Sequence, residues 1–203
     1  MMTVRLRTSA RNMETKKEIR SRLKKQRSLM SADECRSMSH EIYKRLTALE
    51  LDRDYDNILL YSAIRNEVNT DEYFACLINK AKKIYYPRVC GDEMSFYRVR
   101  CLDELNCGSF NINEPDMTDE YTQADGRALM IVPGLGFSDT GYRIGYGKGF
   151  YDRYLSSFTK RDTVTAVGVG YDFQLLGNVT FEDEYDVPLD GVITDKREVF
   201  IDD

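Results

Sequence analysis

Apolar and polar positions along the chain follow two recurring patterns. Short apolar runs bounded by polar residues predict buried strands, whereas apolar residues spaced three or four apart in charged stretches predict helices. The predicted strands are residues 57–62, 83–87, 94–99, 128–132, 165–169 and, as the last one, 191–194. The predicted helices are residues 14–29, 31–49, 71–82 and 151–158, and residues 111–125 are predicted to form a loop.

The first two predicted helices carry the clearest local signals. In the first, Ile19, Leu23 and Gln26 are expected to share one face of a strongly basic segment. Ser31 precedes Glu34 by three residues, which is the pattern of a capping box that begins the second helix. These signals predict two separate helices that meet near residue 30.

Strands that alternate with helices favour an α/β fold. We expect a mostly parallel central sheet covered by helices on both faces, in a Rossmann-like three-layer arrangement. No linker or repeat divides the chain, so residues 13–203 are expected to form a single domain. Residues 1–12 contain arginines and hydroxyl residues but no acid, which predicts a disordered extension and faintly resembles an organelle transit peptide.

The composition excludes several classes of chemistry. A net charge of −5 argues against general affinity for nucleic acid, and no apolar run is long enough to span a membrane. Because His40 is the single histidine, a Ser-His-Asp triad and a multi-histidine zinc site are not expected. The cysteines lack CxxC spacing, which is typical of reduced thiols, and they are Cys35, Cys76, Cys90, Cys101 and Cys107. We expect a cytoplasmic protein that binds small molecules, as a monomer or alternatively as a dimer.

The stretch GYRIGYGKGFYDRYL, residues 141–155, is the strongest chemical signal in the chain. It follows the predicted strand 128–132, and ligands of parallel sheets bind beyond the carboxyl ends of the strands. Its glycines at alternate positions are Gly145, Gly147 and Gly149. Such glycines allow backbone N–H groups to converge on a ligand, while Arg143, Lys148 and the beginning of the next helix add positive charge. We predict a phosphate site here, although the spacing matches neither the P-loop nor the dinucleotide fingerprint. The alternative is a tight surface turn with a solvated lysine.

Aromatic, acidic and basic residues extend this prediction. Rings beside the glycines suit a flat heterocyclic ligand, and they are Tyr142, Tyr146, Phe150, Tyr151 and Tyr154. Asp152 and Asp190 are candidate ligands for Mg²⁺, which takes one or two carboxylates at a phosphate site, and a cap or turn role is the alternative for each. On the first helix, Lys16, Lys17 and Arg20 are spaced to reach a polyphosphate, or else belong to a solvated face.

The longer segment VPGLGFSDTGYRIGYGKGFYDRYL, residues 132–155, resembles the signature of the 5-formyltetrahydrofolate cyclo-ligase family, also called 5,10-methenyltetrahydrofolate synthetases. Weaker similarities occur in the family's order. They are KKEIR at 16–20, NEVNT at 66–70, YPRV at 86–89, MSFY at 94–97, INEP at 112–115, AVGVGYD at 166–172 and DVPLD at 186–190. The resemblance therefore covers nearly everything after about residue 13.

This resemblance implies an enzyme and a reaction. ATP and Mg²⁺ would drive ring closure of 5-formyltetrahydrofolate to 5,10-methenyltetrahydrofolate, releasing ADP and phosphate. The fold would be similar to those of sugar-phosphate isomerases and CoA transferases. No histidine is required, because aligning two substrates and neutralising charge on the moving phosphoryl group supply most of the catalysis.

The resemblance also implies roles for individual residues. The catalytic residues would be Arg143, Lys148 and Tyr151. The ATP-binding residues would be Lys16, Lys17, Glu18, Ile19, Arg20, Arg143, Ile144, Gly145, Tyr146, Gly147, Lys148, Gly149, Phe150 and Tyr151. The folate-binding residues would be Ser62, Ile64, Glu67, Tyr146, Gly147, Lys148, Gly149 and Phe150, and Asp152 and Asp190 would bind Mg²⁺.

Several positions depart from the family's usual pattern. Ser138 stands where an aspartate is usual, Asn66 replaces a common glycine, and Tyr185 replaces a frequent histidine. None of these removes a charge that phosphoryl transfer needs. Two other functions stay open from the sequence, namely a sugar-phosphate isomerase and a non-catalytic protein that binds folate or nucleotide.

Overall fold

The structure is a computed structural model, and it describes residues 14–158, 163–177 and 183–201. The helices are α1 (Lys16–Ser28), α2 (Ala32–Ala48), α3 (Asp71–Asn79) and α4 (Phe150–Ser156). The strands are β1 (Asn57–Leu59), β2 (Lys83–Cys90), β3 (Glu93–Arg98), β4 (Asn106–Cys107), β5 (Asn113–Glu114), β6 (Ala128–Pro133), β7 (Gly136–Phe137), β8 (Arg143–Ile144), β9 (Val164–Val169), β10 (Gly191–Ile193) and β11 (Glu198–Phe200). The predicted extension, residues 1–12, lies outside the described residues.

A seven-stranded sheet in the order β11-β10-β9-β6-β1-β2-β3 forms the centre of the molecule. The five inner strands are parallel to one another, from β10 through β9, β6 and β1 to β2. The edge strands β3 and β11 run antiparallel to their neighbours β2 and β10. The predicted mostly parallel sheet is confirmed.

Successive residues of the inner strands pack on opposite faces of the sheet, as the period of two requires. In β1, Ile58 belongs to a core cluster with Ile42 of α2 and Leu77 of α3. The next residue, Leu59, belongs to the other cluster, against which Tyr154 of α4 packs. Helices therefore cover both faces, and the predicted three-layer arrangement is confirmed.

Helix α1 packs over the short β7–β8 hairpin through Ile19 and Leu23, which are buried with Leu135 and Ile144. The third buried residue of this helix is Arg27, whereas Gln26 is exposed. The prediction that Gln26 belongs to the buried face was wrong, because the positions i, i+4 and i+8 form the stripe here.

The structure corrects two further element predictions. The chain has a strand after 191–194, namely β11, whose three residues alternate between exposed and half-buried at the edge of the sheet. The predicted loop 111–125 contains β5, which pairs with β4.

The capping box is confirmed, since the Ser31 backbone N–H donates to Glu34 (2.8 Å) and the Glu34 N–H donates to Ser31 Oγ (3.2 Å). No helix in the described ranges is long and apolar enough to cross a membrane.

Candidate active site

A cavity of about 1030 Å³ opens at the carboxyl ends of the parallel strands, where Pro133 ends β6. The segments that line it include the glycine loop with the beginning of α4, one side of α1, residues 61–67 and residues 183–187, together with parts of β2, β3 and residues 110–114. The segment that carried the strongest chemical signal in the sequence therefore lies where the strand order predicts a ligand.

The glycine loop needs its glycines for two backbone conformations. Gly147 has φ +97° and Gly149 has φ +67°, values that residues with a Cβ rarely adopt. A Cβ at Gly147 would meet only the Arg20 guanidinium carbon, 3.9 Å away, within otherwise open space. The loop thus presents bare backbone to the cavity next to a cation. Lys148, between these glycines, is exposed.

Arg153 fixes the backbone of this loop from outside. Its guanidinium donates to the carbonyl of Lys148 and to the carbonyl of Asp92, both at 2.8 Å. The contact ties the loop to the β2–β3 turn and therefore limits the positions that the Lys148 side chain can reach.

Arg143 is buried and paired at the floor of the cavity. Its Nη2 donates to the carboxylate of Asp152 at 2.8 Å, and its guanidinium lies 5.1 Å from the ring centroid of Tyr151. Its Nε is buried without a hydrogen-bond partner among the described residues. Leaving a buried donor without a partner is energetically costly.

Helix α1 turns two of its predicted nucleotide-binding residues toward the cavity. Arg20 Nε donates to the carbonyl of Gly145 at 3.0 Å. Lys16 Nζ lies 2.6 Å from a carboxylate oxygen of Asp183 and of Asp186. Burial of Lys16 opposes its charged form, but its hydrogen bonds to the two carboxylates outweigh that effect and raise its pKa. An arriving phosphate would therefore compete with two aspartates for Lys16.

Glu67 lies in the wall that residues 61–67 contribute to the cavity and is 8% exposed. Its carboxylate accepts hydrogen bonds from the Ile64 backbone N–H and the Tyr146 hydroxyl, each at 3.0 Å. Burial raises the pKa of Glu67, against the lowering effect of Arg27 and these hydrogen bonds. Burial likewise raises the pKa of Tyr146 to about 12, so its hydroxyl keeps its proton at neutral pH.

Most of the predicted site residues come together in this one cavity. They are Lys16, Arg20, Ser62, Ile64, Glu67, Arg143, Gly145, Tyr146, Gly147, Lys148, Gly149, Phe150, Tyr151 and Asp152. Ser62 Oγ donates to the carbonyl of Asn113, which anchors the first residue of β5 to this wall.

Four predicted nucleotide-binding residues do not line the cavity. Lys17 is exposed. Glu18 completes a capping box with Thr15, since its carboxylate accepts from the Thr15 N–H at 2.8 Å. Ile19 and Ile144 are buried in the core cluster beneath the loop. Glu18, Ile19 and Ile144 therefore contribute to the folding and packing around the site, and Lys17 makes no contact with the cavity.

Asp190 is not among the residues that line the cavity, whereas Asp152 is. Asp190 precedes β10, at the amino end of that strand, and its carboxylate accepts a hydrogen bond from the Ala166 backbone N–H at 2.6 Å. The cavity opens at the other end of the strands, so the turn role that the sequence left open describes Asp190 in this structure. Among the described residues, no three His, Cys, Asp or Glu side chains form a metal-binding group.

Arg27 is a functional candidate that the sequence pattern did not reveal. Arg27 is 2% exposed and reaches the carboxylate of Glu67, although the basic face of α1 appeared to be a solvated surface. Its spacing of four residues from Leu23 was the signal that could have placed it in the buried stripe. Lys24 and Arg65 also line the cavity, and each lies within 5.1–5.6 Å of the Tyr146 ring centroid.

Fold and site together define a three-layer α/β protein with a cationic, glycine-lined cavity at the carboxyl ends of its strands. The model of the 5-formyltetrahydrofolate cyclo-ligase family matches residues 12–195, so the chain belongs to that family and is an enzyme of the ligase class. The resemblance inferred from the sequence is thereby confirmed.

Relatives with known names agree with this assignment. The chain is 30% identical to the 5-formyltetrahydrofolate cyclo-ligase of Mycoplasma pneumoniae, over 89% of this chain and 99% of the relative. It is 26% identical to the mouse protein of the same name, over 88% of this chain and 92% of that one. It is similar to the NMR structure of Aquifex aeolicus 5,10-methenyltetrahydrofolate synthetase, with a TM-score of 0.80, 32% identity and 93% coverage of both chains.

Proposed function

We propose that this enzyme closes 5-formyltetrahydrofolate to 5,10-methenyltetrahydrofolate at the expense of ATP, with Mg²⁺ as cofactor. The observation that carries the proposal is that one cavity joins a cationic glycine loop to a buried carboxylate. The first end suits a triphosphate, and the second suits a heterocycle with N–H donors. A reaction between two such ligands needs both ends in one cavity.

The nucleotide would lie at the glycine-loop end. Lys148 is exposed in the loop, and Arg20 faces the bare backbone of Gly147. Arg143 is buried, and its Nε has no hydrogen-bond partner in the part of the chain that the structure describes. Fixed cations around a transferring phosphoryl group stabilise the charge that develops on its oxygens. We therefore assign transition-state stabilisation to Arg143 and Lys148, with Tyr151 holding the Arg143 guanidinium through its ring.

The folate would bind with its pterin ring at Glu67. Two adjacent N–H donors of a pterin match the two oxygens of a carboxylate. The walls here are partly apolar, with Tyr61, Ile64, Met94 and Pro87 lining the same cavity. Tyr146 lies between the two ends, because it belongs to the glycine loop yet donates to Glu67. The formyl group would then face the loop.

The residues present fit a Mg²⁺ ion at Asp152. Its carboxylate lines the cavity next to the loop, and a single carboxylate with phosphate oxygens and waters is a common Mg²⁺ shell. The ion pair with Arg143 holds this carboxylate in place and would have to share it with the metal. A bound Mg²⁺ would neutralise phosphate charge. Asp190 is not included, because its carboxylate is bound to the Ala166 amide.

The chemistry follows from the electrophile. A formamide carbon reacts poorly because its oxygen is a poor leaving group. In the proposed reaction that oxygen forms a bond to the γ-phosphorus, the bond from γ-phosphorus to the bridging oxygen breaks, and ADP leaves. N10 then attacks the activated carbon and loses its proton, and the carbon–oxygen bond breaks to release phosphate. The chain's part is to align the two substrates within the cavity and to exclude water.

Absorbance spectroscopy tests this proposal. Protein mixed with 5-formyltetrahydrofolate, ATP and Mg²⁺ should produce the near-ultraviolet band of the methenyl product, and a mixture without ATP should not. ATP should also raise the melting temperature, because a ligand that binds the native state stabilises it. No methenyl band, together with stabilisation by ribose 5-phosphate alone, would favour the sugar-phosphate isomerase.

We further propose that the enzyme is a cytoplasmic monomer that acts on these small molecules, without nucleic acid or membrane. All five cysteines are free thiols, which suits a reducing compartment. Light scattering at assay concentration checks the monomer, and a mass of twice 23.6 kDa would support the dimer instead.

A further inference from the structure

Arg27 is a buried charge that the proposed reaction does not yet use. Its side chain extends from the last turn of α1 into the wall behind the cavity. Nε donates to the carbonyl of Arg65 at 2.9 Å, and Nη1 donates to the carbonyl of Gly134 at 3.2 Å. Nη2 donates to the Tyr146 hydroxyl and lies 3.5 Å from a carboxylate oxygen of Glu67. One guanidinium thus joins α1, the segment before Glu67, the end of β6 and the glycine loop.

The hydrogen bonds run in one direction. Arg27 donates to the hydroxyl oxygen of Tyr146, and that hydroxyl donates its proton to Glu67. When a cation donates a hydrogen bond to a hydroxyl oxygen, the hydroxyl is polarised. It then donates its own proton more strongly to the next acceptor. Glu67 therefore receives the Arg27 charge both directly and through Tyr146.

The other charged and titratable groups around Glu67 do not duplicate this effect. Arg65 lowers the pKa of Glu67 but is exposed, and its charge is screened by water. Three tyrosines also face Glu67, and they are Tyr61, Tyr151 and Tyr171. Burial raises the pKa of each of these tyrosines far above neutrality, so they are uncharged at pH 7.

We propose that Arg27 is a positioning residue for folate recognition, which keeps the buried Glu67 ionised and aimed at the pterin through its contacts with Glu67 and Tyr146. This inference rests on the proposed function for its ligand, but not for the state of Glu67. A carboxylate removed from water tends to take up a proton, and a neighbouring opposite charge is the effect that prevents it. A protonated Glu67 would offer one acceptor oxygen where the pterin needs two.

A double-mutant cycle of Arg27→Gln and Glu67→Gln tests the coupling, with 5-formyltetrahydrofolate affinity as the readout. Arg27→Gln alone should weaken folate binding by about tenfold to a hundredfold, since a charged hydrogen-bond partner is lost. In the Glu67→Gln background the same change should cost less than about threefold, because coupled residues are not additive. Arg22→Gln is the matched control, since Arg22 is an exposed arginine of the same helix that pairs with Glu14.

The pH profile separates this role from a merely structural one. The pKa of Glu67 is already raised by burial, so removing Arg27 raises it further. Folate affinity requires the ionised carboxylate, so it should decline as the pH falls. In Arg27→Gln the midpoint of this decline should lie about one pH unit or more above that of the wild type. Arg27→Lys should recover part of this displacement. Equal losses in both backgrounds, or an unmoved acidic limb, would overturn the proposal.

A second measurement needs neither folate nor a folded Arg27 variant. Carboxyl carbon-13 NMR of glutamate-labelled wild-type protein, with the Glu67 signal assigned by its absence in Glu67→Gln, reports the ionisation of Glu67 directly. The proposal expects a carboxylate at pH 7, and a protonated Glu67 there would overturn it. Wild-type protein that fails to bind 5-formyltetrahydrofolate while Glu67 is ionised would instead count against the proposed function.

Discussion

The two ends of the cavity are built in opposite ways. At the glycine-loop end, an exposed lysine and bare backbone face the cavity, and the loop is held from outside by Arg153. At the other end, Glu67 is buried, and its oxygens already have partners in Ile64 and Tyr146. The first end presents an exposed cation on a loop whose backbone is held in place, whereas the carboxylate at the second end is buried and hydrogen-bonded before any ligand binds. Changes at the two ends should therefore have different kinetic effects.

Lys148→Ala should have the largest effect. Removing a cation from the transferring phosphoryl group should lower kcat by about a hundredfold to a thousandfold. The melting temperature should stay within about 2 °C of wild type, because an exposed side chain contributes little to packing. Steady-state assays and thermal unfolding measure both. Lys25→Ala, an exposed lysine of α1 outside the cavity, is the control. Unchanged turnover in Lys148→Ala would contradict the comparison.

Glu67→Gln should act on the other end. We expect the KM for folate to rise by about tenfold to a hundredfold, since one acceptor oxygen becomes a donor. Affinity for ATP, measured by calorimetry without folate, should remain within about twofold. Glu72→Gln, which changes an exposed carboxylate beside His40, should alter neither value. Equal losses for both substrates would mean that the two ends are not separate.

Asp152→Asn tests the assignment of the metal to the glycine-loop end. The apparent affinity for Mg²⁺ should fall by about tenfold or more, because a neutral amide is a poor Mg²⁺ ligand. Activity measured against Mg²⁺ concentration gives this value. The matched variant is Asp190→Asn, which should leave it unchanged. A loss of Mg²⁺ affinity in Asp190→Asn and not in Asp152→Asn would assign the metal to Asp190.

Asp186→Asn should have the smallest effect, and in the favourable direction. Removing one of the two carboxylates that hold Lys16 should strengthen ATP binding by about twofold to fivefold, as expected for a partly exposed ion pair. Calorimetry at low and high salt measures this, and the gain should shrink with salt. Asp54→Asn, which changes an exposed acid outside the cavity, is the control. Weaker ATP binding in Asp186→Asn would indicate that Asp186 holds Lys16 in the binding geometry.

Signals contained in a few neighbouring residues predicted structure well. The capping box at Ser31 and Glu34 placed the beginning of α2, and the apolar runs placed the inner strands. The edge strand β11 was missed because its three residues form no apolar run and are stabilised by pairing with β10. That pairing is a tertiary contact, and a local sequence pattern does not contain it.

The candidate site divides in the same way. The glycine loop is one continuous segment, so its residue types revealed it. The sequence did not predict a buried Arg27, because its partners lie 38, 40, 107 and 119 residues away along the chain. A charge is buried where such partners meet it, and only the fold brings them together. Asp190 is the opposite case. Its residue type suits a metal ligand, but it lies at the amino end of β10, away from the carboxyl ends of the strands where the cavity opens.

Helix α1 contributes to both parts of the cavity, since Lys16 lines it and Arg27 pairs with Glu67. Eleven residues separate them, which is about 16 Å along a helix axis. In the proposed function, the helix would set the distance between the nucleotide and the folate. One residue inserted between Arg20 and Arg27 would turn everything beyond it by about 100°. Lys16 and Arg27 would then face different directions, and the helix could not contribute to both binding regions at once.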